Sequence, residues 1–295
     1  MKKVLIIGAT GFIGASLSKL LSSYGCTVIQ VGQSEFNRRC HHELGFKDLT
    51  DSATLIVFCA AKVPVRSLKD FTENTILVEK FIEFFQGLEF DYLLNFSSDA
   101  VYADSDFPIS ESSTTSPGNL HGIMHLMREL ALNEAFVGKV GHVRPTLIYG
   151  QGDTHNGYGP NRFMRQAISE GEIEVFGHGE EVRDHIFIDD VCEIAWLMLK
   201  RKHKGAVNAV SGQPRSFQDI AEIVRSLVPN CRISFTKRLV DRMPHGGYRV
   251  FDVKAIQIQF PLLSMCAPEV GLELMFNQMN RNDLASVLRF GRWGS

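Results

Sequence analysis

Three glycines near the start of the chain have the spacing of a phosphate-binding turn. Gly8, Gly11 and Gly14 are three residues apart and follow the apolar run 4–7 directly. Glycine lets the backbone turn sharply and approach a ligand closely, and a helix that begins at such a turn offers free N–H groups to an anion. A strand before the turn and a helical pattern after it make the pyrophosphate of a dinucleotide the expected ligand. A turn with glycines for packing alone is the alternative.

The residues after the second apolar run bear on the choice of cofactor. Segment 27–31 predicts a strand, and Gly32-Gln33-Ser34 follows it. An NAD-binding fold commonly has an acidic residue here for the ribose hydroxyls. Arg38 and Arg39 lie close behind and could hold a 2′-phosphate instead. The cofactor is therefore expected to be NADP or NAD, with NADP favoured; solvated loop arginines are the alternative.

The elements that must position these residues alternate along the chain. Short apolar runs predict strands, and apolar residues at three- and four-residue steps predict helices. The predicted strands are 4–7, 27–31, 55–58, 92–96, 140–143, 206–210 and 231–235, and the predicted helices are 13–21, 74–85, 120–136, 191–199 and 217–228. Strands that alternate with helices predict an α/β fold, a doubly wound parallel sheet with helices on both faces.

Composition excludes several classes of protein. The chain has 295 residues, 44% of them hydrophobic and 22% charged, and a net charge of -2. An ordinary soluble protein without a basic face is expected, so nucleic acid is not an expected partner. The six cysteines form no CxxC pair, which predicts free thiols in a reducing compartment and no metal site. No signal peptide or apolar stretch of membrane-spanning length is seen, so no membrane partner is expected and we expect a cytoplasmic protein.

Several stretches together resemble one family, the extended short-chain dehydrogenase/reductases, which include nucleotide-sugar epimerases, dehydratases and reductases. The matching stretches are the glycine turn, Asp48-Leu49, Ala60-Ala61, Asn74, Ser97-Ser98-Asp99-Ala100-Val101-Tyr102, Arg144-Pro145, Tyr149-Gly150, Gly177-His178-Gly179, Arg183-Asp184 and Asp189-Asp190-Val191. The resemblance implies a Rossmann-like dinucleotide-binding domain of residues 1–150 and 184–212. It also implies a smaller substrate-binding domain of residues 151–183 and 213–295.

Binding roles follow from the resemblance and the residues above. The residues expected to line the cofactor are Gly8, Gly11, Phe12, Ile13, Gly14, Gln33, Arg38, Arg39, Asp48, Leu49, Ala60, Ala61, Asn74 and His125. Asn161, Arg183 and Arg249 are implied to hold the diphosphate or ribose of a nucleotide-linked sugar, and guanidinium groups do pair bidentately with phosphate. A surface ion pair is the alternative for each arginine. A homodimer through helices 74–85 and 120–136 is also implied.

The chain departs from the family at the catalytic pair. The family has a tyrosine that moves a proton and, four residues later, a lysine that lowers the pKa of the tyrosine and holds the nicotinamide ribose. Here these positions are His121 and His125, while Pro117, Gly122 and Arg128-Glu129 keep the register. Residues four apart face one side of a helix, so both rings can point into one site.

Three hypotheses account for the histidine pair. In the first, His121 replaces the tyrosine as acid and base, since imidazole titrates near pH 6.5 without a lysine. In the second, ordinary redox chemistry is lost and the site does other chemistry or only binds a ligand. In the third, the pair holds a metal, which the lack of an obvious third ligand disfavours. If the register is wrong, both are surface histidines.

The expected function is that of an NAD(P)-dependent enzyme that epimerises, dehydrates or reduces a nucleotide-linked sugar. Ser98 would hydrogen-bond the reacting oxygen. Asp99 lies where dehydratases of the family have an acid, but the glutamate that accompanies it is Ala100 here, which disfavours dehydration. Tyr102 or Asp99 would move the proton if His121 does not. The alternative is a catalytically silent dinucleotide- or nucleotide-sugar-binding protein that acts as a sensor or partner.

Overall fold

Strands and helices alternate in the first part of the chain, as the sequence predicts. The computed structural model describes residues 2–40, 45–238 and 243–290, the side chains of 281–290 excepted. The strands are β1 Lys3–Ile7, β2 Thr27–Val31, β3 Leu55–Phe58, β4 Tyr92–Phe96, β5 Val140–Pro145, β6 Leu147–Tyr149, β7 Glu172–Phe176, β8 Val182–Arg183, β9 His185–Phe187, β10 Gly205–Ala209, β11 Arg215–Ser216, β12 Arg232–Thr236 and β13 Tyr248–Arg249. The helices are α1 Phe12–Ser23, α2 Gln33–Arg39, α3 Leu68–Phe85, α4 Leu120–Ala135, α5 Pro160–Glu170, α6 Ile188–Arg201, α7 Phe217–Leu227, α8 Lys254–Gln259 and α9 Pro268–Phe290.

The first of two compact units is built on a six-stranded parallel sheet. Its strand order is β10-β5-β4-β3-β1-β2, and every pairing is parallel. The strands β3 and β4 are buried along their whole length, as expected of a sheet covered on both faces. Helix α1 packs against α6, and α3 packs against α4. The predicted fold class, a Rossmann-like doubly wound α/β sheet, is confirmed.

A stack of aromatic rings packs helix α3 against the sheet. The rings of Phe58 and Phe81 are stacked with their centroids 4.0 Å apart, and Phe85 stacks on Phe81 at 4.5 Å. Phe46 continues the stack at 4.6 Å from Phe85. Large rings bury much apolar area in a few side chains. The stack therefore holds α3 against the end of β3, the strand that leads into Ala60 and Ala61.

The second unit contains small sheets and three of the helices. Its sheets are β11-β8-β13, the parallel pair β12-β7 and the parallel pair β6-β9. Helices α5 and α7 pack together, and α7 also contacts α9. Tyr158 lies among Phe163, Phe176 and Phe217 with centroid distances of 5.1, 4.7 and 4.6 Å, so aromatic contacts form the core here too.

The division of the chain differs in places from the predicted domain bounds. The first unit is Met1–Thr146, Ile188–Val210 and Phe251–Leu263, and the second is Leu147–Phe187, Ser211–Val250 and Ser264–Ser295. The segment Phe251–Leu263 was expected in the substrate-binding domain. It belongs to the first unit because Phe251 bridges to Ile109 and packs in the apolar cluster of Val101 and Val210.

Several helix bounds also differ from the sequence pattern. Helix α3 begins at Leu68 and not at 74, because Ser67 and Asp70 form a capping box that starts it earlier. The segment that carries Arg38 and Arg39 is helix α2 and not a loop. Much of the tail beyond 264 is helix α9, which had no clear periodic pattern. No described helix is both long enough and apolar enough to span a membrane.

Candidate functional site

Two of the three turn glycines are required by packing inside the protein. Gly8 has φ +97°, and a Cβ there would lie 2.5 Å from the backbone nitrogen of Ala60. A Cβ at Gly14 would lie 2.2 Å from the carbonyl oxygen of Gly8. Both distances are far below van der Waals contact. These two glycines let β1, α1 and the end of β3 meet closely.

Packing inside the protein does not require a glycine at position 11. Its backbone, φ −77° and ψ 170°, is open to any residue, and a Cβ would meet only the carbonyl oxygen of Gly8 at 3.5 Å. No side chain caps the start of α1, and its first turn, with Phe12 and Ile13, has no acidic side chain. An uncapped helix start beside an open glycine has the donors and the space for a pyrophosphate. The described residues thus fit a dinucleotide at this turn.

The arginines expected to hold a 2′-phosphate are already paired. Arg39 donates from Nε to Glu35 Oε1 at 2.7 Å and from Nη1 to Asp48 Oδ1 at 2.8 Å. Arg38 also forms an ion pair with Glu35. Glu35 lies in the first turn of α2, so a carboxylate does follow the second strand, directly after Gly32-Gln33-Ser34. Gln33 is exposed at the start of the same helix.

The residues expected beneath the cofactor have mainly structural contacts. Asn74 is buried, and its side chain both accepts from the backbone N–H of Lys62 and donates to the backbone carbonyl of Lys62, each at 2.9 Å. Asn74 therefore holds the segment that follows Ala60 and Ala61. Leu49 packs on the apolar core of the sheet. Their direct contact with a cofactor stays a prediction.

Helix α4 is pressed against the turn that follows β4. Ser98 Oγ accepts from the N–H of Ala100 at 3.1 Å and begins the 3₁₀ turn Asp99–Val101. A Cβ at Gly122 would lie 2.0 Å from the carbonyl oxygen of Ala100. Only glycine allows this approach, which brings the start of α4 to Ser98 and Asp99. Ser98, Asp99 and His121, three of the four predicted catalytic residues, therefore lie in one region.

The two histidines face each other on the inner side of α4. Their ring centroids are 4.7 Å apart at an interplanar angle of 82°. Burial lowers the pKa of His121, and Asp99 partly opposes that shift. The pKa of His125 lies well below its ordinary value because of burial, His121 and Arg128. Both rings are neutral at neutral pH, and the Nδ1 atom of each is buried without a partner. His121 can therefore accept a proton.

Tyr102 is not free to take over this role. Its buried hydroxyl donates to Asn208 Oδ1 at 2.7 Å and accepts from Arg144 Nη1 at 2.8 Å. Arg144 also donates to both carboxylate oxygens of Glu129, at 2.9 and 2.6 Å. Burial raises the pKa of Tyr102. This hydroxyl is a fixed part of a buried network, so the alternative that Tyr102 moves the proton is disfavoured.

The described residues offer no metal cluster beside the histidines. No group of three or more His, Cys, Asp or Glu side chains in that part of the chain has an arrangement that could hold a metal ion. The nearest acidic influence on the pair is Asp99. The third hypothesis thus lacks a ligand set within the described residues.

In the second unit, Asn161 holds a loop. Its Oδ1 accepts from the N–H of Gly150 at 3.0 Å, and its Nδ2 donates to Asp153 Oδ2 at 2.8 Å. Residues 150–153 line a cavity of about 260 Å³ with Arg165, Met275 and Met279. Asn161 shapes the wall of this cavity, and the direct diphosphate contact expected of it stays a prediction.

The predicted phosphate-binding arginines lie side by side in the second unit. Arg183 and Arg249 are direct partners in the parallel pair β8–β13, and they are 5% and 3% exposed. Arg215 lies opposite Arg183 on the other neighbouring strand. Arg183 donates to Glu181 Oε2 at 3.0 Å and to the carbonyl oxygen of Pro244 at 2.7 Å. Sequence reasoning missed both Arg215 and Glu181, because strand register is not visible in the sequence.

Solved structures with the same fold include several enzymes of nucleotide-sugar metabolism. TunA, an NAD-dependent NDP-hexosamine 5,6-dehydratase of tunicamycin biosynthesis, is 22% identical, with 94% of this chain and 97% of that chain covered and a TM-score of 0.80. UDP-glucuronic acid 4-epimerase of Bacillus cereus, in complex with UDP-glucuronic acid and NAD, is 19% identical over 95% and 99% of the chains, with a TM-score of 0.79. MoeE5, in complex with UDP-glucose and NAD, is 22% identical over 95% and 99%, also with a TM-score of 0.79.

A family model matches most of the sequence. The model of the NAD dependent epimerase/dehydratase family matches residues 4–210, which include the glycine turn, the end of β4 and the histidine pair. The resemblance to the extended short-chain dehydrogenase/reductases is confirmed by this match and by the fold. Because the match covers more than half of the chain, the protein belongs to the NAD-dependent epimerase/dehydratase family.

Proposed function

We propose that the protein is an NAD-dependent enzyme that acts on a nucleotide-linked sugar, with His121 as its acid and base. Gly11 is the observation that carries the proposal, since nothing in the described protein explains a glycine there except room for a ligand. Family membership supports the cofactor class. The complexes of similar folds with UDP-sugars and NAD support the substrate class.

The chemistry divides between cofactor and protein. A bound nicotinamide supplies a hydride acceptor for a sugar carbon. His121 is neutral and removes the proton from the hydroxyl on that carbon; as the imidazolium it returns a proton in the reverse direction. The Ser98 hydroxyl donates to Asp99 Oδ1 at 3.4 Å, and its Oγ accepts from the N–H of Ala100; it would turn from Asp99 to donate to the same sugar oxygen. His125, one helical turn deeper, shields the inner side of His121 from water and is proposed to contact the nicotinamide ribose.

Epimerisation or keto reduction is favoured over dehydration. Elimination of water needs a second acid and base beside the pair that handles the hydroxyl proton. Asp99 is a candidate for one of these groups, but Ala100 stands in place of the glutamate expected beside it, and the Ala100 carbonyl is packed against Gly122. Arg183 and Arg249 in the second unit are proposed to hold the nucleotide diphosphate. For Arg183 this requires competition with Glu181.

Substitution of Gly11 by alanine tests the cofactor site. We expect Gly11→Ala to weaken NAD binding about tenfold or more, ~1.4 kcal/mol, because the methyl group occupies ligand space. Its free energy of unfolding should stay within about 0.5 kcal/mol of the wild-type value. Calorimetric titration and urea denaturation measure the two quantities. Gly14→Ala is the matched control: its methyl group clashes with Gly8 and should lower stability. Unchanged NAD affinity in Gly11→Ala would contradict the proposal.

The preference between cofactors follows from Glu35. The sequence pattern favoured NADP; we propose NAD instead, because the Glu35 carboxylate neutralises Arg38 and Arg39 and repels a 2′-phosphate. Wild-type protein should bind NAD more tightly than NADP, and Glu35→Gln should shift the ratio of the two dissociation constants toward NADP by about tenfold. The exposed Glu222→Gln is the control. Tighter binding of NADP by the wild type would restore the original preference.

The pH dependence tests the role of His121. Oxidation needs the neutral ring, so the rate should fall as the pH drops through the pKa of His121, and burial places that fall below pH 6.5. His121→Phe should lower the rate about a hundredfold or more and abolish this limb. Turnover is followed by cofactor absorbance with a panel of nucleotide sugars. The exposed His178→Phe should behave as the wild type. Cofactor binding without turnover on any sugar would support the silent binding protein instead.

We also propose a homodimer through α3 and α4. Their outer faces expose apolar side chains: Leu68 and Ile76 on α3, and Ile123 and Leu130 on α4. A light-scattering mass of two 33.0 kDa chains is expected. The double variant Ile123→Glu, Leu130→Glu should give one chain, since buried charges oppose association. Leu262→Glu, which changes an exposed residue elsewhere, is the control. A wild-type mass of one chain would exclude the dimer.

A further inference from the structure

Arg128 is a buried cation without a carboxylate. Its side chain is 1% exposed, and among the described residues no acidic group forms an ion pair or charge interaction with it. Arg144, which is also buried, contrasts with it, because both carboxylate oxygens of Glu129 bind Arg144. An unpaired buried charge is expensive, and proteins normally avoid it. A negatively charged partner would stabilise Arg128, and the described residues do not provide one.

The guanidinium group lies at the carboxyl end of β3. It donates from Nη2 to the carbonyl oxygen of Phe58 at 2.7 Å and from Nη1 to that of Ala60 at 2.8 Å. Its central carbon lies 3.7 Å from the ring centroid of Phe58. Its Nε is buried without a partner. Carbonyl dipoles and the ring face offset part of the desolvation, but none of them carries a negative charge.

Neighbouring groups do not neutralise Arg128. Burial raises the pKa of the Cys59 thiol to about 12, so this group is uncharged at neutral pH. His125 is held neutral by burial and by the two neighbouring cationic or titratable groups, His121 and Arg128. Burial lowers the pKa of Arg128 to about 9, which leaves the guanidinium protonated at neutral pH. The guanidinium of Arg128 thus keeps its full positive charge, which neither Cys59 nor His125 neutralises.

Ala60 connects Arg128 to the glycine turn. A Cβ at Gly8 would lie 2.5 Å from the Ala60 nitrogen and 2.7 Å from its Cα, so the two backbones are in contact. The Ala60 nitrogen also donates to the carbonyl oxygen of Ile7 at 3.0 Å. Since Arg128 binds the carbonyl of Ala60, a single residue separates its charge from the turn. A buried, low-dielectric region strengthens the interaction between charges.

We propose that Arg128 is a positioning residue that supplies the fixed positive charge drawing the cofactor phosphates onto the glycine turn. The inference rests on the proposed function, because the anion in question is the pyrophosphate of the dinucleotide. Arg128 acts through the backbone of Ala60 and does not touch the ligand. A clamp that only ties helix α4 to the end of β3 would need the hydrogen bonds of Arg128 but not its charge.

The experiment compares ligands that differ in phosphate and variants that differ in charge. Binding of NAD, ADP and adenosine is measured for the wild type, Arg128→Lys and Arg128→Met, by calorimetry and, for weak binding, by ligand-observed NMR titration. In Arg128→Met we expect NAD and ADP to bind about tenfold more weakly, while the affinity for adenosine changes less than about twofold. Arg128→Lys retains the charge but not the planar guanidinium group. This variant should retain most of the higher affinity that the wild type has for ADP than for adenosine. Arg225→Gln removes an exposed charge from α7 and should change nothing.

The outcomes separate this inference from the proposed function. Equal losses for all three ligands in Arg128→Met, or loss of the phosphate-dependent gain in Arg128→Lys, would show that Arg128 is only a clamp. If Arg128→Met does not fold, Arg128→Lys alone decides between charge and clamp. Wild-type protein that binds neither NAD nor ADP would instead overturn the proposed function.

Discussion

The close approach of helix α4 to the carboxyl ends of β3 and β4 is the contact on which the candidate site depends. At one end, Gly122 lies against the Ala100 carbonyl at a distance that no side chain permits. Two turns later, Arg128 binds the carbonyls that end β3. His121 adjoins the first attachment and His125 lies between the two, so both have little freedom to turn away from the sheet. The glycine turn depends on the same strand end, since Gly8 packs on Ala60.

Burial determines how charge is distributed within this region. Burial, His121 and Arg128 hold the pKa of His125 well below its ordinary value, so this ring adds no charge to the inner face of α4 at neutral pH. Arg128, one turn deeper, carries a permanent charge without the carboxylate that balances Arg144. Adjacent residues of α4 thus differ: Glu129 forms a buried ion pair with Arg144 of β5, whereas the charge of Arg128 is unbalanced among the described residues. The second unit has a related arrangement, in which β-sheet register places Arg183 beside Arg249 and the buried Glu181 forms an ion pair with Arg183.

Several residues with predicted ligand contacts also have protein partners that spacing does not reveal. Arg38 and Arg39 were expected to bind a 2′-phosphate. Once the segment folds as helix α2, both form ion pairs with Glu35, and Arg39 also pairs with Asp48. Asn161 was expected to face a substrate, but its amide ties Gly150 to Asp153. In each case the residue type was compatible with both roles. Polar side chains in a folded chain satisfy their hydrogen bonds with whichever groups are nearest, and those neighbours come from other segments.

The sequence by itself determined the α/β class and the order of most strands and helices, and it predicted phosphate binding at the first turn, because these follow from local periodicity and glycine spacing. It also identified His121 and His125 as one face of a helix. Only the tertiary structure distinguished Gly11 from Gly14: a Cβ at Gly11 would have free space around it, whereas a Cβ at Gly14 would clash with the backbone of Gly8. It likewise revealed that Arg128 is buried with no acidic partner among the described residues. The physical reason is that free space and unbalanced charge are properties of what surrounds a residue, and most of those surroundings are distant along the chain.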